Sequence, residues 1–404
     1  MASQRRVCLI NGSRTPIGTF GKSLSRVTVD KLAEHAMVHS IRKAGVDPNQ
    51  VDGIILGHGY QSAYTPNTAR FAALNAGLPA SIPAMTVQRQ CGSGMEAVNL
   101  AAKEILLGNG DIYMAGGVES MSTVPYLLPG KMRWEGFQKK NKFGPRVVLA
   151  APLAQDGLVP LNLLNDTRSV NMAQTAQRLA DSYEISREEQ DKYAYRSHML
   201  ATQAVADGRF NLEVDPIDVP GRGFFKTDEH PRGNTTFEKL SELRPVRKSL
   251  RSITAGNSSG INDGACCVIL ASEEKAQQLG MEPLAYMIDS VVTGLDPEQM
   301  GLGPVAAIEK LLIRNSLTVK DIDLFEINEA FAAQYLACEK LLGLDREKVN
   351  VNGGAIALGH PIGMSGARLP LTLAYELRRR GLKRGVASLC IGGGMGIATL
   401  IEAA

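Results

Sequence analysis

Two regions of this chain, about 270 residues apart, repeat one another in the same order. Val51-Asp52-Gly53-Ile54-Ile55-Leu56-Gly57-His58 parallels Ile322-Asp323-Leu324-Phe325-Glu326-Ile327-Asn328-Glu329. Cys91-Gly92-Ser93-Gly94-Met95-Glu96-Ala97 then parallels Gly363-Met364-Ser365-Gly366-Ala367-Arg368. Each glycine-serine turn opens an apolar helix, predicted over Met95 to Leu107 and over Leu369 to Leu377. Each helix leads to a glycine and then a strand, Asp111 to Gly117 in one region and Val386 to Gly393 in the other. Similarity at a constant offset implies two copies of one unit. The strand–helix–strand order makes that unit α/β, with mixed, mostly parallel sheets covered by helices.

The stretch between the copies differs in character. Residues 123–247 are polar and loop-rich, with helical patches, and read as an insertion that serves as a lid or as a ligand-contacting layer. Ser186, with Glu189 three residues on, caps one helix there, running through Tyr193, Ser197 and Ala204. The first copy is expected over 1–122, continued at about 248–275, and the second over 276–404.

Composition narrows the function classes. A net charge of +3 on 404 residues does not call for a nucleic-acid or membrane partner. The basic clusters Lys139-Lys140-Asn141-Lys142 and Arg378-Arg379-Arg380 are either solvated faces or landing places for a small anion. Cys8, Cys91, Cys266, Cys267, Cys338 and Cys390 form no C-x-x-C pair and suit no zinc module. Met1 to Val7 lacks the apolar core of a signal peptide, so a reducing, cytoplasmic setting is expected. Gly385 to Ile401 carries no charge, but its glycines split it into two buried strands rather than a membrane span.

Four residues are candidates for chemistry. Cys91 stands at the N-terminus of an apolar helix, where the helix dipole lowers a thiol pKa, and Gly92 and Gly94 leave space over its sulfur. It is equally readable as a packed thiol. His360 lies in Asn352-Gly353-Gly354-Ala355-Ile356-Ala357-Leu358-Gly359-His360-Pro361-Ile362-Gly363, where the glycines let other groups approach the ring closely and would let a substrate pass. Cys390 ends a strand before Gly392-Gly393-Gly394, whose N–H groups can stabilise an oxyanion. Asn328 ends the strand Leu324 to Ile327, where it either closes the strand or holds a water. Two thiols, an imidazole and an oxyanion-binding loop together fit two-step acyl transfer with deprotonation at carbon.

Several segments together resemble the signature blocks of the thiolases. They are Gln90-Cys91-Gly92-Ser93-Gly94, Ala115-Gly116-Gly117-Val118-Glu119-Ser120-Met121-Ser122, Thr254 to Ala265, Asn328-Glu329-Ala330-Phe331, the His360 run and Cys390-Ile391-Gly392-Gly393-Gly394. The resemblance spans nearly the whole chain. It implies a five-layered αβαβα fold of two similar halves with an inserted loop domain. It also implies acyl transfer between coenzyme A thioesters, with no tightly bound cofactor and no metal. Acetyl-CoA, acetoacetyl-CoA or a longer 3-ketoacyl-CoA and CoA are the implied partners, and a homodimer or homotetramer the implied assembly, with Val124 to Lys142 as the assembly loop. Carried onto this chain, Cys91 would take the acyl group and His360 would activate it. Cys390 would move the α-proton. Asn328 would hold a water for one oxyanion hole, and the N–H groups of Cys91 and Gly392 would form the other. Arg232 would lie near the 3′-phosphate, Ser259 on the pantetheine, and Met172, Met300 and Phe331 along the channel.

This chain departs from the biosynthetic relatives' pattern at Asn171-Met172-Ala173, at Gln177 and at Val246-Arg247, all expected in the substrate channel. These positions bear on chain length, and a degradative thiolase for longer chains is the alternative reading. Cys390 argues against a decarboxylating ketoacyl synthase. Gly301-Leu302-Gly303-Pro304-Val305-Ala306 matches a dinucleotide fingerprint but follows no strand. His35 and His39 lack a third zinc ligand. A non-catalytic lipid-binding relative would not need Cys91, Asn328, His360 and Cys390 together.

Overall fold

The computed structural model describes residues 5–125 and 171–404. The assembly loop expected over Val124 to Lys142 lies outside these residues from position 126 onward, as do the lysines at 139–142. In chain order the strands are β1 (Val7–Arg14), β2 (Gly18–Thr19), β3 (Gly53–His58), β4 (Ala84–Val87), β5 (Ile112–Ser120), β6 (Ile217–Val219), β7 (Gly223–Phe225), β8 (Asn262–Ser272), β9 (Ala285–Gly294), β10 (Leu324–Ile327), β11 (Arg384–Ile391) and β12 (Met395–Ala403). The helices are α1 (Val29–Ala44), α2 (Thr68–Asn75), α3 (Ser93–Leu106), α4 (Met172–Ser182), α5 (Arg187–Ala206), α6 (Phe237–Ser241), α7 (Glu273–Gln278), α8 (Gly303–Arg314), α9 (Ala332–Leu342), α10 (Ala355–Leu358) and α11 (Ile362–Arg380).

The repeat seen in the sequence is a repeat of topology. Strands hydrogen-bond in the order β10-β11-β12-β9-β1-β8-β5-β3-β4, with β2 on β8. In one half β3 runs parallel to β5, which is followed toward the middle of the sheet by antiparallel β8 and β1. In the other, β10 runs parallel to β11, which is followed by antiparallel β12 and β9. A short antiparallel pairing of Val7, Cys8 and Leu9 with Met287, Tyr286 and Ala285 joins the halves.

Alternation along the strands sorts their side chains into layers. Leu9, Ile55, Ala115 and Val268 join a central core with Leu389, Ile397 and Ile401 of the other half. Cys8, Ile54, Leu56 and Ile269 turn outward onto α1 and α2. Phe325, Val386, Ala398 and Leu400 turn outward onto α4, α8 and α9. Between the two sets of strands lie α3 and α11, enclosed on both sides, which accounts for their lack of a polar face. The expected five layers, helix, sheet, helix, sheet, helix, are therefore present.

One expectation fails. The large sheet is mixed but not mostly parallel: six of its strand pairings are antiparallel and three parallel. Only the helix-linked crossovers enforce parallel pairing. The glycine turn 392–394 reverses the chain between β11 and β12, and β8 joins β1 and β5 from far along the sequence. The helix at Ser186 forms as expected, with Ser186 and Glu189 exchanging side-chain and backbone hydrogen bonds. Gly385 to Ile401 falls in β11 and β12, and no described helix is long and apolar enough to cross a membrane.

Candidate active site

Cys91 is delivered by a strained turn. Gln90, just before it, has φ +45°, in the left-handed region that non-glycine residues avoid. The Ser93 hydroxyl holds this turn. It donates to the Gln90 carbonyl at 2.6 Å and accepts from the Arg89 N–H at 2.8 Å. Gly92 is the N-cap of α3, so the thiol sits one residue outside the helix. The dipole does not win there. Burial pushes the Cys91 thiol above its ordinary value, against hydrogen bonds to the sulfur from the N–H groups of Gly392 and of Cys91 itself. The expected lowering is thus overturned: at neutral pH the group is a thiol and needs a base.

The flanking glycines also act differently from expectation. A Cβ on Gly92 would lie 2.5 Å from Ile391 Cδ1, and one on Gly94 would lie 2.6 Å from the Gly363 carbonyl oxygen. A Cβ on Gly366 would lie 2.4 Å from the Met95 nitrogen. Gly94 and Gly366 let α3 and α11 cross with their backbones nearly touching, while Gly92 makes room for the Ile391 side chain of β11. They leave no passage for substrate.

His360 comes from the segment leading into α11. Its ring is held by Ser365, one turn into the helix. The Ser365 hydroxyl donates to the Pro361 carbonyl at 3.0 Å and lies 2.7 Å from His360 Nδ1. The oxygen therefore accepts from Nδ1–H, and Nε2 carries the lone pair. Asn328 Nδ2 faces that nitrogen at 3.4 Å. Burial and the Arg368 guanidinium push the imidazole pKa down to about 4, so the ring is neutral across the physiological range. Its backbone N–H donates to Asn262 Oδ1 at 3.0 Å.

Asn328 ends β10 and is wholly buried, and its Oδ1 has no hydrogen-bond partner among the described residues. Its neighbour Glu329 is fully engaged. It accepts from Tyr193 and Ser197 hydroxyls at 2.7 Å each and from the Ile356 N–H at 3.1 Å. Glu329 anchors the turn, so the free amide oxygen of Asn328 is left for a small polar guest.

Cys390 is 1% exposed. Met300 and Ala330 pack against it, with Met172 and Phe331 at the margin. Burial raises its pKa well above the ordinary thiol value, and the nearby Cys91 pushes the same way. Two thiolates this close oppose one another, so ionisation of one disfavours the other.

Cys91, His360 and Cys390 line one cleft of about 330 Å³. Met172, Ser259, Met300 and Phe331 line it too, as the resemblance implies. Arg232 does not: it is exposed, and its N–H donates to His198 Nδ1 at 3.2 Å. Gln177, expected in the channel, lies behind the wall instead. Its side-chain oxygen accepts from the N–H groups of Arg251 and Ser252 at 2.9 Å each. Asn171, Val246 and Arg247 do face the cleft. Met121, Gly260 and Ile362 also line it, unnoticed in the sequence because no chemistry marks them. A further missed residue is buried Glu119. Its carboxylate accepts from the N–H groups of Gly59 and Gly363 at 3.0 Å each and lies 3.2 Å from His58 Nε2. It ties the end of β5 to the start of α11, across the two halves.

Comparison with known proteins agrees with this arrangement. Residues 7–274 match the thiolase N-terminal domain and residues 281–403 the thiolase C-terminal domain. The chain is similar to the acetyl-CoA acetyltransferase of Syntrophomonas wolfei, 46% identical with 99% of each chain covered. It is also similar to a probable acetyl-CoA acyltransferase of Staphylococcus epidermidis, 42% identical with 98% of each covered. Among solved structures, the Bacillus anthracis acetyl-CoA acetyltransferase superposes with a TM-score of 0.92 at 46% identity, over 100% of both chains. Human mitochondrial 3-ketoacyl-CoA thiolase in complex with CoA superposes with a TM-score of 0.92 at 41% identity, over 100% of this chain and 99% of that one. Through both of its halves, this chain belongs to the thiolase family.

Proposed function

We propose that the protein is an acetyl-CoA C-acetyltransferase. It would condense two acetyl-CoA to acetoacetyl-CoA and CoA, or run the reverse thiolysis, through an acetyl group held on Cys91. The observation that carries this reading is the convergence of Cys91, His360 and Cys390 on one cleft, with two backbone N–H groups at the Cys91 sulfur.

The protons balance around a closed cycle. His360 Nε2 takes the proton of Cys91 as the sulfur attacks the acetyl carbonyl. The CoA thiolate leaves and takes the proton of Cys390. Cys91 is now acetylated, His360 is an imidazolium and Cys390 is a thiolate. A second acetyl-CoA gives its α-proton to Cys390, whose raised pKa makes it a strong base once ionised. The carbanion attacks the acetyl group, and Cys91 departs and recovers its proton from His360. Each tetrahedral oxygen needs donors while it is charged. The N–H groups of Cys91 and Gly392 serve one. His360 Nε2–H and a water on the free Asn328 amide oxygen serve the other.

Met172, Met300 and Phe331 give the cleft an apolar floor suited to a short acyl group and pantetheine, with Ser259 on the pantetheine and Arg232 farther out near the nucleotide. The reading extends to a homo-oligomer in the cytoplasm. Six free cysteines are consistent with a reducing compartment. Acetyl-labelled acetyl-CoA should leave one label on Cys91 of the denatured protein, and Cys91→Ala should retain none. An unlabelled wild-type protein, or a labelled Cys91→Ala protein, contradicts the reading.

A further inference from the structure

Arg247 is the one arginine among the described residues that line the cleft, and three arginines of neighbouring segments are paired. Arg187 is paired with Asp191 at 2.7 Å, Arg178 with Glu298 and Arg251 with Asp181. Arg247 has no carboxylate or hydrogen-bond partner for its guanidinium among the described residues, although it lines the catalytic cleft. No aspartate or glutamate lines that cleft among the described residues. The carboxylate nearest in its influence, Glu119, is already occupied by N–H donors and His58.

The segment that carries Arg247 is held in place. The Val246 N–H donates to the Ile253 carbonyl at 3.0 Å, and the Leu250 N–H donates to the Arg247 carbonyl at 3.1 Å. Gln177 clamps the far side through Arg251 and Ser252, as described above. A fixed backbone that presents a guanidinium with no partner, to a cleft lined by no acid among the described residues, is a site prepared for an anion. The planar fork of arginine suits phosphate or carboxylate oxygens in pairs.

We propose that Arg247 binds an anionic oxygen group of the thioester substrate, either a phosphate of the nucleotide or a carboxylate on the acyl chain. This rests on the thiolase reading of the cleft and adds a specificity determinant to it. Arg247 is exposed, so its replacement leaves the core untouched.

The test compares wild type with Arg247→Gln on three thioesters: acetoacetyl-CoA, acetoacetyl-pantetheine, and a 3-ketoacyl-CoA ending in a carboxylate. If the anion is a nucleotide phosphate, kcat/KM for acetoacetyl-CoA falls about tenfold, mostly through KM, while the ratio for the pantetheine thioester stays near one. The fall should shrink as salt is raised, because an ion pair at a cleft rim is screened. If the anion is an acyl carboxylate, the fall appears only with the carboxylated chain. A ratio near one on all three, or an equal loss on all three, overturns the proposal. Wild type inactive on every thioester would instead refute the thiolase reading. Calorimetry would then decide the matter for Arg247: with CoA for the phosphate and with the carboxylated 3-ketoacyl-CoA for the carboxylate, an Arg247→Gln Kd unchanged for both overturning its role.

Discussion

The two halves share a frame and divide the work. Gly57 and Asn328 occupy corresponding positions in the repeat, each beside the end of a strand that is parallel-paired on its inner side. At Gly57 the first turn of α3 fills the space: a Cβ there would lie 2.2 Å from the Ser93 carbonyl carbon. At Asn328 the space is open enough for an amide that reaches His360. The next residues, His58 and Glu329, are both buried and bonded, one to Glu119 and Thr68, the other to Tyr193 and Ser197. The serines of the two glycine turns also correspond. Ser93 holds the bend that presents Cys91, while Ser365 sets the tautomer of His360. A duplicated scaffold thus brings a thiol from one half to an imidazole, an amide and a second thiol from the other.

The comparison can be broken most severely at the shared centre. His360→Ala should lower the rate of Cys91 acetylation about 10²–10⁴-fold, since the raised thiol then loses the neutral imidazole that shares its cleft as base. The pH dependence sharpens this. With the ring pKa pushed down to about 4, His360 is already neutral above pH 5 and ready to accept. Acetylation should therefore lose rate only as pH falls through about 4, where the ring takes its proton from solvent. An acid limb near pH 6.5 would refute the buried, neutral ring.

A smaller effect separates the corresponding positions. Asn328→Ala should cut kcat by about 10²-fold, the scale for one oxyanion donor, with little change in Tm. Gly57→Ala should do the reverse. Forcing a methyl against the α3 backbone costs about 1–3 kcal/mol of stability, read as a lower Tm. If Asn328→Ala lost stability and kept kcat, the assigned division would be wrong.

What could be read in advance follows the range of each interaction. The repeat, the enclosed helices and the Ser186 cap depend on residues close in sequence, and they were legible. The antiparallel majority of the sheet was not, because β8 meets β1 and β5 from more than 100 residues away. The candidates Cys91, His360, Asn328 and Cys390 were legible from residue type and setting. The direction of the Cys91 pKa shift was not, since it turns on whether burial outweighs the dipole, and depth is a tertiary quantity. The glycines misled for the same reason. Near Gly94, Gly117 and Gly366 it is the backbone of another element that needs the room, and no local pattern names that partner. The anchoring role of Glu119 and the place of Gln177 behind the cleft wall were not legible, because both turn on N–H groups of segments distant in sequence.

The central claim is that the two thiols have separate tasks, acyl carriage on Cys91 and proton transfer on Cys390. Cys390→Ala tests it most directly, incubated with labelled acetyl-CoA in deuterated water. The account predicts an acetyl label on Cys91, formed more slowly because the departing CoA thiolate must take its proton from water, and loss of the deuterium uptake into the acetyl methyl that wild type shows. Deuterium uptake at the wild-type rate, or failure of Cys91 to take the label, would contradict it.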